Sequence, residues 1–131
     1  MRKRHIGAAL LAVAGTINAL PGTGALSVGR LRSAYGLDDG GAADPDLDVL
    51  LRHRAVLFLV TGGLLPVAVA RPHLRTAAVV ANATSCAAFV LLVATSGPVD
   101  ARLVRIAWID VAVLGLLAGG SALVRPAPRP G

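Results

Sequence analysis

The sequence is poor in cysteine, aromatic and acidic residues. It contains no glutamate and one cysteine, and only 15% of its residues are charged. Because Cys86 is alone, an internal disulfide and a zinc site built on several cysteines are both excluded. The basic residues, which are all arginine except Lys3, are dispersed between apolar segments. The net charge of +6 therefore does not indicate a nucleic-acid-binding face.

Apolar side chains, by contrast, are abundant. Hydrophobic residues make up 55% of the 131 residues, and the mean hydropathy is +0.70. A soluble domain of this length cannot bury so much apolar surface in one core. Many alanines and glycines with few rings suit helices that pack closely in lipid. From this apolar excess and these small residues we predict an all-α integral membrane protein. Separately, the bias toward Ala, Arg, Gly and Pro is typical of a GC-rich bacterial genome.

Four segments are long and apolar enough to cross a bilayer, which takes about 20 residues. We place these spans at residues 6–28, 45–70, 76–96 and 106–124, in a single membrane domain that covers residues 1–131. The later connections are short and favour an up-down four-helix bundle. The one sizeable loop is predicted on the outer side, at residues 29–44.

The second span begins at an unusual place, because its uncharged part alone is too short to cross the bilayer. A span of normal length brings the cluster of Arg52, His53 and Arg54 to the membrane border. Asp44 followed by proline predicts a helix N-cap ahead of this cluster. Asp48 stands four residues before Arg52, and this spacing predicts an ion pair on the helix surface.

The orientation follows from the basic flanks. Arg2, Lys3 and Arg4 precede the first span, and the first helix usually dominates orientation. We predict a multi-pass protein of the bacterial inner (plasma) membrane with both termini cytoplasmic. A cleaved secretory signal is the alternative. It is disfavoured because the apolar run is long and no A-x-A cleavage site follows it.

Asp110 interrupts the fourth span. A carboxyl group within a span is costly, and such residues usually face the bundle interior and find a partner. Since the second and fourth spans start on the same side, Arg54 and His53 lie at nearly the depth of Asp110. We predict an Asp110–Arg54 pair that clamps these two helices. The alternatives are that Asp110 extends to the outer interface beside Trp108, or that it handles a proton or an ion.

Other polar residues within spans are candidates for the bundle interior. Asn18 lies in the first span, while Asn82, Ser85, Cys86 and Phe89 share one face of the third. Hydrogen bonds between helices are the preferred interpretation, and a polar ligand pocket is the alternative.

Glycines in two spans predict close helix contacts. Gly115 and Gly119 form a G-x-x-x-G motif in the fourth span, and Gly62 and Gly63 lie in the second. The sequence leaves open whether these contacts lie within the bundle or between copies of the chain.

No motif of catalysis or cofactor binding meets its structural requirements. The stretch HIGA lacks the second histidine of a nucleotidyltransferase motif, and GALSVGR lacks the lysine of a phosphate-binding loop. DPDLD lacks the glycine and the final acid of a calcium loop. His5, His53 and His73 do not share a helix face. We therefore expect no enzyme activity, cofactor or metal.

The order of features resembles a group of small four-helix bacterial membrane proteins that are loosely DoxX-like. The stretches LRSAYGL (residues 31–37) and DPDLDVLLRHRAVLF (residues 44–58), together with Asp110, carry this resemblance. Some members of the group bear the name phosphopantetheine adenylyltransferase, although nothing in this chain would bind a nucleotide in that way. For DoxX-like proteins the resemblance implies a link to quinone or thiol redox chemistry.

These observations favour a non-enzymatic membrane protein that serves as a subunit or accessory component of a larger bacterial membrane assembly. Its expected partners are the lipid bilayer and other membrane proteins, or a second copy bound through Gly115 and Gly119. The alternative is a quinone- or lipid-headgroup-binding protein. Its site would lie at the outer mouth of the bundle and include Arg52, His53, Arg54, Tyr35 and Asp110.

Overall fold

The computed structural model describes residues 1–37 and 44–124, and within these ranges the chain forms helices and no strand. In chain order the elements are α1 (Arg2–Ala19), a 3-10 helix (Leu20–Leu26), α2 (Val28–Ala34), α3 (Pro45–Ala70), a short 3-10 turn (Pro72–Leu74), α4 (Arg75–Thr95) and α5 (Ala101–Val124). The predicted all-α fold is confirmed.

Four segments are long and apolar enough to cross a membrane: Arg2–Leu26, Pro45–Ala70, Pro72–Thr95 and Ala101–Val124. The four long helices form a ring in which α1 contacts α3 and α5, and α4 contacts the same two helices. Helices α1 and α4 therefore lie on one diagonal of the bundle, and α3 and α5 lie on the other. This is the architecture of a multi-pass membrane protein.

The first span departs from regular α-helix earlier than expected. Pro21 lacks a backbone N–H, and the chain tightens into the 3-10 helix that ends at Leu26. A Cβ atom on Gly22 would lie 2.5 Å from the Cβ of Leu59. Glycine therefore allows this segment to lie directly on α3.

The predicted outer loop begins with a helix, α2, which the sequence did not predict. Residues 38–43 of that loop lie outside the described residues. Helix α3 begins as predicted, because the side chain of Asp44 accepts hydrogen bonds from the backbone N–H groups of Asp46 (3.0 Å) and Leu47 (3.1 Å).

The predicted Asp48–Arg52 pair is wrong. The carboxylate of Asp48 instead accepts a 2.7 Å hydrogen bond from Nε of Arg32, which extends from α2, and Arg52 is exposed. A local pair on a helix surface is worth only about 0.2–0.5 kcal/mol, so a better-placed partner from another helix displaces it easily.

Helices α1 and α3 approach most closely at two glycines. A Cβ on Gly15 would lie 2.6 Å from the carbonyl oxygen of Gly62, and one on Gly62 would lie 2.6 Å from the backbone nitrogen of Ala19. Because Pro66 has no N–H, it cannot donate a helical hydrogen bond to the Gly62 carbonyl. A small residue opposite lets the two backbones meet at this irregular turn.

The remaining glycines divide between the interior and the surface. Gly7 on α1 faces α5, because a Cβ there would lie 2.8 Å from the carbonyl oxygen of Gly120. Outside the glycine's own stretch of helix, no described heavy atom lies within 4 Å of the Cβ position of Gly63 or Gly115, and at Gly119 the nearest is a Leu10 methyl at 3.8 Å. The predicted close approach thus holds for Gly62, while the G-x-x-x-G motif contributes little within the bundle.

Candidate functional site

A hydrogen bond between two asparagines connects α1 and α4, which lie on one diagonal of the bundle. The side-chain Nδ2 of Asn18 on α1 donates a 2.6 Å hydrogen bond to Oδ1 of Asn82 on α4. Nδ2 of Asn82 donates in turn to the carbonyl oxygens of Thr61 on α3 and Ala78 on α4, both at 2.8 Å. Both asparagines are buried. The predicted interhelical hydrogen bonds are therefore formed.

Cys86 and Asp110 extend this polar cluster to α5. The thiol of Cys86 donates to Oδ1 of Asn18 at 3.6 Å and also lies beside the carboxyl group of Asp110. Asp110 is 5% exposed, and among the described residues its Oδ2 atom has no hydrogen-bond partner. All four long helices thus contribute a polar group to the middle of the bundle.

The predicted Asp110–Arg54 clamp is wrong. No ion pair joins these side chains within residues 1–37 and 44–124. The guanidinium of Arg54 is engaged elsewhere, by the hydroxyl of Tyr35 and the rings of Phe58 and Phe89. The alternative placement beside Trp108 is also wrong. Trp108 is 69% exposed, whereas Asp110 shares the buried face of α5 with Val113 and Leu117.

Arg54 instead lies in an aromatic environment that the sequence analysis did not predict. Its Nε atom donates a 3.2 Å hydrogen bond to the hydroxyl of Tyr35. The guanidinium carbon lies 4.5 Å from the ring centre of Phe89, 4.9 Å from that of Phe58 and 5.8 Å from that of Tyr35. Three of the four aromatic residues in the chain thus surround one arginine, and the charge is stabilised by cation–π contacts.

A cavity of about 350 Å³ opens beside the polar cluster, and we call it the Asp110 cavity. Its apolar walls come from α1, the first 3-10 helix, α2, α3 and α5, and its polar groups include Asp110, Asn18, Tyr35 and Arg30. The residues that line it are Ile17, Asn18, Leu20, Pro21, Thr23, Gly24, Arg30, Leu31, Ala34, Tyr35, Phe58, Ile106, Ile109 and Asp110. Its volume falls within the range of about 300–1,000 Å³ that is usual for small-molecule sites.

The structure brings together only part of the predicted outer-mouth site. Tyr35 and Asp110 line the cavity, and Asn18, predicted separately, joins them. Arg52 and His53 are exposed and lie outside its lining, and Arg54 reaches it only through the rings of Tyr35 and Phe58. The sequence did not predict Arg30 as a site residue, because its position depends on α2, which lies where a loop was predicted.

Neither the cavity nor the rest of the described chain brings three histidine, cysteine or acidic side chains together as metal ligands. In comparisons with known proteins, no family model, no curated protein and no solved structure matches this chain. A functional proposal therefore rests on the geometry of the site.

Proposed function

We propose that this protein is a non-enzymatic membrane protein that binds a lipid-soluble quinol in the Asp110 cavity. The observation that carries the proposal is the buried Oδ2 atom of Asp110, which has no partner among the described residues. An unsatisfied buried acceptor costs about 1–3 kcal/mol, so a ligand hydroxyl that donates to it is stabilised. The mostly apolar walls suit the ring and the first part of an isoprenoid tail.

The route of entry also favours a ligand that is dissolved in the bilayer. Ile109 and Leu20 line the cavity and are 45% and 58% exposed on the outside of the bundle. Since this surface faces lipid in a membrane, a hydrophobic ligand reaches the cavity without crossing water. Arg30 and Tyr35 supply further polar groups for the oxygens of the ring.

Isothermal titration calorimetry of the detergent-solubilised protein with decylubiquinol tests the proposal. We expect one ligand per chain and weaker binding by Asp110→Leu, by about tenfold for the loss of a hydrogen bond of about 1.5 kcal/mol. Gly24→Leu should also weaken binding, because it adds a side chain to the cavity wall. Val111→Leu, on the exposed surface of α5, is the matched control.

The affinity for decylubiquinone provides a second comparison. It should be lower than that for decylubiquinol, because decylubiquinone carries carbonyl acceptors in place of the two hydroxyl donors. Equal affinities of wild type and Asp110→Leu for the quinol would refute the role of Asp110. Failure of the wild-type protein to bind decylubiquinol would refute the proposal itself.

A role as accessory subunit of a larger assembly is the second candidate, and the outward position of Gly115 supports it. No described heavy atom lies within 4 Å of the Cβ position of this glycine, and the residue is exposed. A G-x-x-x-G face left open to lipid favours contact with another helix. Chemical cross-linking in membranes should give a discrete complex that Gly115→Leu reduces. Gly63→Leu on α3 is the matched control, because its Cβ position is equally open.

The proposed location is the inner membrane of a bacterium, with both termini in the cytoplasm. Arg2, Lys3 and Arg4 support this orientation, while Arg125 and Arg129 lie outside the described residues. The DoxX-like resemblance remains a prediction, because no comparison bears on it. Labelling of single cysteines placed at residue 2 and at residue 97 in intact cells, in a Cys86→Ala background, tests the orientation. Only the cysteine at residue 97 should react with an impermeant reagent.

A further inference from the structure

A second cavity, of about 690 Å³, lies at the opposite end of the bundle, near the N-terminus of α1. It is a groove between α4 and α5 whose floor includes Leu11 of α1, and we call it the basic groove. Val80 on α4 and Ala118 on α5 line the groove and are exposed on the outside of the bundle. The groove is therefore open along its length to the lipid in which the helices lie.

Two arginines stand at the end of the basic groove. Arg4 is exposed on the first turn of α1, and Arg75 begins α4. The Nε and Nη2 atoms of Arg75 donate to the carbonyl oxygens of Ala68 (3.1 Å) and Val69 (2.8 Å), which fixes the guanidinium at the mouth. No acidic residue lines the groove, so both positive charges act on whatever enters it.

Beyond Arg4, Arg75 and Thr76, the lining of the groove is apolar except for Ser121. Leu114, Leu117 and Val79 form the surface that an acyl chain would contact. The hydroxyl oxygen of Ser121 is buried in the same lining and has no partner among the described residues. A groove with positive charge at one end, an unsatisfied hydroxyl and an apolar wall matches an anionic headgroup joined to a hydrocarbon tail.

We propose that the basic groove binds one anionic phospholipid, with its phosphate at Arg4 and Arg75 and one acyl chain along α4 and α5. Basic pockets between membrane helices bind anionic headgroups in this way, and each arginine near the surface contributes about 1 kcal/mol. A zwitterionic lipid fits less well, because no carboxylate in the groove would receive its ammonium group. Free phosphate also fits less well, because it has no hydrocarbon chain to cover the apolar wall of the groove.

Native mass spectrometry of the whole chain, purified in mild detergent, tests this assignment. The protein is titrated separately with phosphatidylglycerol, with phosphatidylcholine and with inorganic phosphate. We expect one phosphatidylglycerol per chain, weaker retention of phosphatidylcholine and no competition by phosphate. Arg4→Gln should weaken phosphatidylglycerol binding about fivefold. Ala83→Leu, which fills the groove, should reduce it further.

Matched controls separate this site from general membrane affinity and from the Asp110 cavity. Arg105→Gln removes an exposed arginine at the other end of the bundle and should leave phosphatidylglycerol binding unchanged. Asp110→Leu should also leave it unchanged, because Asp110 does not line the groove. Equal retention of the two phospholipids, or equal losses in Arg4→Gln and Arg105→Gln, would overturn the proposal. Displacement of the lipid by inorganic phosphate would show a free anion site instead and would overturn it as well.

Discussion

The side chains of Asn18 and Asn82 meet at 2.6 Å across the diagonal of the bundle, between two helices that are not neighbours in the ring. This contact depends on the small residues around it, because Gly15 and Gly62 let α1 and α3 approach closely just below Asn18. Asn82 also donates to the carbonyl of Thr61, so that one side chain connects three helices. The polar centre therefore restricts how α1, α3 and α4 can move relative to one another.

The first prediction concerns this pair. Asn18→Ala and Asn82→Ala should each lower the free energy of unfolding in mixed micelles, and the double variant should lose less than the sum. We expect a coupling of about 0.6–1.7 kcal/mol, the range seen for hydrogen bonds between membrane helices. Asn82→Ala should be the more damaging single change, because Asn82 also donates to Thr61 and Ala78. Thr84→Ala, on the exposed side of α4, is the control; strictly additive losses would contradict the prediction.

The second prediction concerns the crossing of α1 and α3. Gly15→Ala places a methyl group 2.6 Å from the Gly62 carbonyl oxygen, so the helices must separate. We expect a loss of about 1–3 kcal/mol in the free energy of unfolding, as for other overpacked sites. Gly63→Ala should cost nothing, because no described heavy atom lies within 4 Å of its Cβ position. Similar stability of the two variants would mean that the close approach is not formed in solution.

The spans and the start of α3 were predictable because each depends on a local pattern. A long run of uncharged residues identifies a membrane helix. The N-cap at Asp44 depends only on the residues that directly follow it in the sequence. The inward position of Asn18 and Asn82 was also predictable, because a polar side chain within a span has few other places to go. What the sequence did not specify was which side chains meet between the helices.

The errors at the candidate site share that cause. Depth along the membrane placed Arg54 near Asp110, but depth does not say in which direction around the helix axis a side chain points. Arg54 meets the rings of Phe58 and Phe89 instead. Arg30 and Arg32 were missed for a second reason, because α2 is a short helix whose position comes from its contacts with α3 rather than from its own periodicity.

The third prediction concerns the ion pair between α2 and α3. The side chains of Arg32 and Asp48 are 19% and 27% exposed, so water and salt screen their attraction in part. Asp48→Asn should lower the free energy of unfolding by about 0.2–1 kcal/mol at low ionic strength. The difference should shrink in concentrated sodium chloride, since the Debye length falls. Asp46→Asn, on the exposed first turn of α3, is the control. A loss that does not respond to salt would indicate a role other than ion pairing.

The last prediction concerns Arg54 and its aromatic neighbours. Arg54→Gln removes the guanidinium from the rings of Tyr35, Phe58 and Phe89 and should cost about 1–2 kcal/mol, the range for a partly desolvated cation–π site. Arg52→Gln, two residues earlier on α3 but exposed, should cost much less.

Double-mutant cycles distinguish the aromatic contacts of Arg54 from the Asp110–Arg54 ion pair that the sequence predicted. Arg54→Gln combined with Phe89→Leu should lose less stability than the sum of the single changes, because the two side chains are in contact. Arg54→Gln combined with Asp110→Asn should show weaker coupling than the Phe89 pair, because the two charges act on each other only at a distance and no ion pair joins them within the described residues. Unfolding in mixed micelles measures both cycles. Strong coupling of Arg54 to Asp110, with none to Phe89, would contradict the aromatic contacts and support the Asp110–Arg54 ion pair.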